Sequence, residues 1–492
     1  MRKILLVLVA VLLSISCSRT PSYDLSSKVH EFTLENGMKW LFVRRPEAPV
    51  FSGVVMVRVG GSDEEMGKTG IAHMFEHMAF KGSKDIGTKD FKKESLLLSE
   101  IEALGEKREA LEKVSKSDTA QIAATTKKMK ELEKVADELR IKNHIWDIMI
   151  RNGANGMNAY TAKDLTTYYT SMPKNRFELW AKMFSEMIFE PSYREFYIER
   201  DVVADERRSL TENNPDREMG EKLLSTSFKS GPYHWSTIGY MDDIQNLTIG
   251  DARKFHDKYY VASNMVGVVV GDLTIGEVKT IAKKVFGKYP KKPVPISPTT
   301  GGVHNRGVIE KFSFDAEPSL TISYHKPTLP NPDEYVFDVI TSLLCEGRSS
   351  RIEKDLIFKK RIVKDIYCSD GFPGSRLDNL MLFWVEPMNG QPLDKVLNAV
   401  TAEVTRLAEK PVLESELRRV QKQVTAGILF SLDDSMQLAL GLARFQTIFG
   451  DWKLLASYPE KIAEVKQDDV IRVAKKYMTL SDRVVVERVR GK

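Results

Sequence analysis

The chain is poor in cysteine and histidine, with three Cys and eight His in 492 residues. Cys17 stands at the end of an apolar N-terminal stretch, which leaves only Cys345 and Cys368 in the body. Two cysteines cannot staple so long a chain, so a disulfide-framework fold is excluded. They read as two buried small apolar side chains. Long apolar runs are scarce as well: Ile4 to Leu13 is shorter than the ~20 residues a helix needs to cross a bilayer. Neither sign of charge dominates. The formal net charge is +5, and no basic tract is interleaved with aromatics, which argues against a nucleic-acid partner. The 42% apolar and 29% charged residues are ordinary for a globular protein, and the length predicts two to four domains.

The first residues read as a targeting segment. Met1-Arg2-Lys3 is basic, Ile4 to Leu13 is apolar, and Ser14-Ile15-Ser16 leads to Cys17. This is the layout of a secretory signal over residues 1–17. A Cys directly after small residues is similar to a bacterial lipobox, although Ser14 stands where Leu is usual. Cleavage there leaves Cys17 as a lipidated N-terminus. A plain signal peptide cleaved nearby is the alternative. Residues 18–27 then read as a polar tether. The expectation is an exported protein of the periplasm or cell envelope, touching a membrane through a lipid anchor only.

What the chain does have is H-M-F-E-H at His73 to His77. Positions i and i+4 of a helix lie on one face, so His73 and His77 can offer two imidazoles to one metal ion. Glu76 is placed to hang beside a water at an open coordination position. This is the H-x-x-E-H order, the reverse of H-E-x-x-H. Two His and one distant carboxylate form a catalytic zinc set with a fourth position free. The third ligand should come from a helix with carboxylates on one face. Glu199 to Arg208 fits, because Glu199 and Glu206 are two turns apart. Val202 and Val203 are expected to bury beside them. From the residues alone, either Glu can be the ligand.

The rest of the pattern is mixed. Residues 28 to 60 alternate like strands around the Asn36-Gly37 turn. Residues 92–147 are rich in Lys, Glu, Ala and Leu and lack Pro, which predicts a helical hairpin turning near Ser115 to Thr119. It reads as a solvated pair of helices with no chemistry. A helical region spans 174 to 213, and helix, strand and helix span 250 to 288. Residues 290–306, with four Pro and two Gly, predict a linker. The order of elements then repeats. The expected fold class is α+β: two related α/β domains, 28–289 and 307–492, with mainly antiparallel sheets flanked by helices and a hairpin insertion in the first. Matching the halves through Gly82 and Gly347 sets His73, Glu76 and His77 opposite Asp338, Thr341 and Ser342, so the second half has no metal set.

Three stretches together resemble the pitrilysin/insulinase family of inverted-motif zinc metallopeptidases. They are Gly61 to Gly82, Asn158 to Tyr169 (N-A-Y-T-x-x-D-L-T-T-Y-Y), and Glu199 to Arg208 (E-R-D-V-V-x-D-E-R-R). The resemblance implies one Zn2+ per chain held by His73, His77 and Glu206, with Glu76 as general base. It implies that Glu199 orients a ligand or assists catalysis, and that Asn158 and Ala159 hold a substrate backbone at a strand edge. Alone, Asn158 reads as a turn residue. The implied activity is a metalloendopeptidase acting on short or unfolded peptides. The alternative is a non-catalytic assembly or binding subunit that keeps the fold. Glu206 lies 129 positions beyond His77, farther than the family shows, and the hairpin at 92–147 accounts for the excess. Family members also use an Arg and a Tyr seven residues apart. Here Lys360 stands seven before Tyr367, so the pair is expected to come from a partner subunit, with a homodimer as the competing arrangement.

Overall fold

The computed structural model describes residues 25–491 apart from 115–117. The leader, Cys17, residues 18–24 of the tether and the hairpin tip lie outside the described residues. Leu25, expected in the tether, is buried in a cluster that includes Val43 and Leu438.

The first large sheet uses β1 (Val29–Thr33), β2 (Lys39–Arg44), β3 (Val50–Val57), β4 (Asn155–Thr161), β5 (Thr166–Pro173) and, after a short β6 (Phe228–Ser230), β7 (Met265–Gly271). Its order is β1-β2-β7-β3-β5-β4. Only β2 and β7 run parallel. After β8 (Val303–His304), which pairs with β6, the second sheet uses β9 (Val308–Phe314), β10 (Ser319–Lys326), β11 (Val363–Phe372), β12 (Asn379–Pro387) and β13 (Val484–Arg490). Its order is β11-β12-β10-β13-β9, with β13 and β9 parallel. Read from the parallel pair outward, both sheets follow one pattern: a parallel couple, then three antiparallel strands. The duplication expected from the order of elements is therefore present in the topology, and β4 corresponds to β11.

Eight helices position the site. They are α1 (Ile71–Ala79), α2 (Phe91–Val114), α3 (Thr119–Leu139), α4 (Phe177–Phe189), α5 (Phe196–Arg207), α6 (Pro215–Ser227), α7 (Asp333–Cys345) and α8 (Ser435–Phe449). The central strands β7 and β10 are buried along their whole length. A strand covered on both faces needs an unbroken apolar run rather than alternation, and Met265 to Val270 supplies one. The outer covers are exchanged between halves. Met219, Leu223 and Leu224 of α6 pack on Leu380, Leu382 and Val486 of the second sheet. Leu438, Ala439 and Leu442 of α8 pack on Val54, Met56 and Val268 of the first. Each such leucine, fully buried, contributes about 1.5–3 kcal/mol. No helix among the described residues is long and apolar enough to cross a membrane.

One expectation is overturned. Cys345 and Cys368 are a disulfide, not two free apolar side chains. The end of α7 lies against β11, and the two Cα atoms come within 6.2 Å, inside bridging range. The sequence spacing of 23 residues gave no sign of that approach.

A buried polar clamp joins the halves. Asp164 accepts the backbone N–H groups of Ser375 (2.6 Å) and Arg376 (2.9 Å) and the Tyr233 hydroxyl (2.7 Å). The Arg376 guanidinium donates to Ser62 (2.6 Å) and Asp63 (3.0 Å). Gly374 permits the approach, since a Cβ there would meet Asp164 at 2.3 Å. Removing one partner of a buried ion pair strands the other's charge, at a cost of about 3–5 kcal/mol. Arg376→Ala should therefore lower the free energy of unfolding by that order and the denaturation midpoint with it. A midpoint equal to that of the unaltered chain would show the clamp to be energetically idle.

Candidate metal centre

Helix α1 presents two unlike faces. Ile71, Ala72, Met74, Phe75, Met78 and Ala79 are buried, while His73, Glu76 and His77 share the remaining face and are half-buried. Apolar residues thus anchor the helix in the core and hold the polar trio toward the cavity. The helix begins at Gly70, whose φ of 87° is left-handed. A side chain there would strike the Ile238 carbonyl at 2.5 Å, so only glycine suits the entry turn. Gly70 has no capping side chain, but the Glu64 carboxylate accepts the Ala72 N–H at 2.9 Å. A carboxylate at a helix N-terminus meets both the orphan donors and the dipole.

Helix α5 brings the carboxylates. Arg200, Val203, Ala204 and Arg207 are buried, which turns Glu199 and Glu206 toward α1; Val202, expected to bury, is exposed. Arg207 grips both oxygens of Glu221 (2.7 and 2.9 Å), and a π-helical turn, Arg208–Glu212, follows. This pins the end of α5 where Glu206 sits.

The structure brings His73, His77 and Glu206 together, with one ligand atom from each within 4.8 Å of the others. His73 Nε2 lies 3.9 Å and His77 Nε2 3.7 Å from the Glu206 oxygens. Those distances are too long for hydrogen bonds. They suit atoms sharing one ion, because Zn–N and Zn–O bonds of about 2.0–2.2 Å at tetrahedral angles separate ligand atoms by about 3.3–3.6 Å. His73 is held neutral: burial, then the neighbouring His77, lowers its pKa to about 4. A neutral imidazole is the ligand form. The donor set, two imidazoles and a carboxylate, therefore fits zinc.

Glu199 takes a different position. Its carboxylate lies 3.2 Å from His77 Nδ1, on the far side of the ring from Glu206. Lys81 contacts its other oxygen at 2.5 Å. Burial raises the Glu199 pKa, but the His77 and Lys81 hydrogen bonds outweigh it and the net shift is downward. For His77, burial opposes the charged form, and the Glu199 hydrogen bond with the surrounding carboxylates raises its pKa overall. A carboxylate that fixes the second nitrogen of a ligating His orients the ring and increases its basicity. Geometry thus separates the two candidates left open by the sequence: Glu206 faces the ligand atoms and Glu199 stands behind one.

Glu76 accepts a hydrogen bond from Thr161 at 2.7 Å. Burial raises its pKa, against the pull of Thr161 and His77. Thr161 escaped notice in the sequence. The signal was available, since strand alternation turns Ala159 and Thr161 of N-A-Y-T to one face. Ala159 is buried and Asn158 exposed on β4, the last strand of its sheet. Across a cavity of about 620 Å3, His73 and Glu206 face Tyr367, Phe372 and Trp384 of the second half. Tyr367 of the same chain therefore lines the site. Lys360 does not; it is paired with Asp355 at 2.6 Å. Nor is the hairpin insertion detached from the motifs. Glu94 of α2 and Arg140 after α3 pair with Arg194 and Glu195 at the start of α5.

Two helices from distant segments thus bring together a His-His-Glu set of the inverted order, a donor set that could hold one metal ion. The family described as insulinase (peptidase family M16) matches residues 41–139 and 138–240, and the M16 inactive domain matches residues 246–424. The chain belongs to the insulinase family and has its two-domain architecture. It is 26% identical to the zinc protease PqqE of Helicobacter pylori, over 92% of this chain and 90% of that protein. It is 22% identical to a probable mitochondrial-processing peptidase subunit beta of Arabidopsis thaliana, over 91% of this chain and 75% of that one. The crystal structure of a protease from Helicobacter pylori superposes with a TM-score of 0.77 at 24% identity, covering 94% of this chain and 99% of that one.

The split between Glu206 and Glu199 is measurable as metal content. Glu206→Ala should abolish stoichiometric zinc retention. Glu199→Ala should keep zinc at saturating concentration but bind it about 10–100-fold more weakly. Elemental analysis and chelator competition report both quantities, and a reversed pattern would reverse the assignment.

Proposed function

We propose that this protein is a zinc-dependent endopeptidase that hydrolyses short or unfolded peptides. The observation that carries the reading is the convergence of His73 and His77 Nε2 on Glu206, with Glu76 beside them on α1. Bound zinc would supply Lewis acidity, activating water near neutral pH and polarising a carbonyl. His73, His77 and Glu206 would hold the ion, and Glu199 would keep His77 in ligating orientation. Glu76 would take the proton from the attacking water and deliver it to the leaving amine. Thr161, which lines the cavity, holds the Glu76 carboxylate by a hydrogen bond. The raised pKa of Glu76 suits a group that must both accept and release a proton.

Substrate would lie as an added strand along the free edge of β4, with Asn158 and Ala159 meeting its backbone. The cavity between the halves, about 620 Å3, would take a short extended segment and not a folded domain. A partner subunit, or a second copy of this chain, completing the basic member of the Arg-Tyr pair belongs to the proposal, because Lys360 is engaged by Asp355. Export, and a lipid on Cys17, are also proposed; these rest on residues 1–17 alone.

The alternative subunit without catalysis has little use for a complete ligand set and a positioned base. One variant separates the two. Glu76→Gln should retain one zinc per chain yet lower kcat on a mixed peptide pool by about 10²–10⁴-fold. Undiminished cleavage by that variant would remove Glu76 from the mechanism, and a zinc-free unaltered chain would favour the subunit reading.

A further inference from the structure

The helical hairpin α2–α3 sits at the end of a line of alternating charges that leads to a metal-facing histidine. Arg140, just after α3, pairs with Glu195. Glu195 lies 3.3 Å from Lys81. Lys81, two residues beyond α1, lies 2.5 Å from Glu199. Glu199 lies 3.2 Å from His77 Nδ1. The four charged side chains are all between 13% and 22% exposed, so water screens them less than it would on an open surface.

The same hairpin holds the turn before α5 a second time. Glu94 of α2, completely buried, binds Arg194 through both oxygens, at 2.5 and 2.8 Å. Arg194 also donates to the Lys81 carbonyl at 2.5 Å. Next to it, Glu195 is the left-handed residue that opens α5, with φ 61°. A non-glycine residue in that region costs of order 1 kcal/mol or more and persists only where its surroundings impose it. The hairpin therefore grips both the side chain and the backbone of Lys81's neighbourhood.

Resting on the peptidase reading, we propose that the insertion is a positioning device for the metal centre and that Arg140 is its positioning residue. The logic lies in Lys81. This one ammonium is contacted by two carboxylates, Glu195 and Glu199. Arg140 neutralises Glu195, which leaves Lys81 to Glu199, and Glu199 so held fixes the His77 ring. Without Arg140, Glu195 becomes a free carboxylate that draws Lys81 away. Glu199 then loses the contact that locks it behind His77. A hairpin that lies outside the three motifs thus sets how firmly zinc is gripped.

The experiment measures zinc affinity by chelator competition on the full chain stripped of metal, with no peptide present. Arg140→Gln should weaken zinc binding about tenfold or more, the effect of losing an outer-shell partner. Arg140→Lys should stay within about threefold of the unaltered chain. The decisive variant is Arg140→Gln with Glu195→Gln. It removes the competing carboxylate together with its partner, so Lys81 returns to Glu199 and affinity recovers. A hairpin that merely supported folding would show no such recovery. Arg140→Gln binding zinc as tightly as the unaltered chain, or a loss that persists in the double variant, overturns the inference while leaving the peptidase reading intact. An unaltered chain that binds no zinc overturns both.

Discussion

Two short helices from distant parts of the chain must lie across each other for any chemistry to occur. A single turn of α1 can supply two imidazoles, but never a third ligand, because the next residue on that face belongs to the same rod. The carboxylate has to come from α5, and its place depends on how α5 is fixed. Three polar contacts do this. Glu64 meets the start of α1, Lys81 beyond its end meets Glu199, and Arg207 at the end of α5 is clamped by Glu221. Each is at least half-buried, where losing one partner leaves the other stranded. Phe75 and Val203 are buried in one apolar cluster beneath the helices, and these polar contacts choose one of the many ways two apolar faces can meet.

The duplication explains how labour is divided. Both halves have the same sheet pattern, and α7 follows β10 as α1 follows β3. Yet matching the halves through Gly82 and Gly347 sets Asp338, Thr341 and Ser342 of α7 opposite the His, Glu and His of α1. Asp338 is bound by the Tyr458 hydroxyl at 2.6 Å and belongs to a packed interior, not to a ligand set. The second half keeps the architecture and contributes a wall. Its β11 corresponds to β4, and both strands reach the cavity, β4 through Thr161 and β11 through Tyr367. The exchanged covers α6 and α8 hold this arrangement by burial, and the Asp164–Arg376 clamp fixes its register.

Much of this was legible in the residues. Period-2 alternation, the Asn36-Gly37 turn and the unbroken run of β7 followed from side-chain geometry alone. His73, Glu76 and His77 share a helix face by spacing, and Glu199 and Glu206 do as well. What sequence could not decide was which carboxylate faces the ligand atoms, because two turns of helix leave both on one side. The crossing angle of α1 and α5 decides it, and that angle is a product of packing. The disulfide was hidden for the same reason: Cys345 and Cys368 meet only because α7 and β11 are neighbours in the second half. The links from the hairpin to the start of α5 were hidden because its charges look like a solvated surface. Glu94 and Arg140 are indistinguishable in sequence from the many Lys and Glu around them, and only the fold turns these two inward.

The cavity has two chemically different walls, and that asymmetry constrains what can enter. On one side stand His73, Glu206 and Thr161; on the other, Tyr367, Phe372 and Trp384, flanked by Asp365 and Glu386. A polypeptide in a water-poor slot must satisfy its backbone N–H and C=O groups or lose several kcal/mol at each. The aromatic wall offers few partners for them. The outer edge of β4 offers a row, at strand spacing, with Thr161 at its end holding the base. An extended segment aligned with that edge satisfies its backbone and turns alternate side chains toward the aromatics. A helix, whose backbone groups are already paired, gains nothing from the edge. On the proposed peptidase reading the selection would be for chain that is extended or readily unfolded, and it would follow from the hydrogen-bonding needs of the backbone before any side-chain preference is considered.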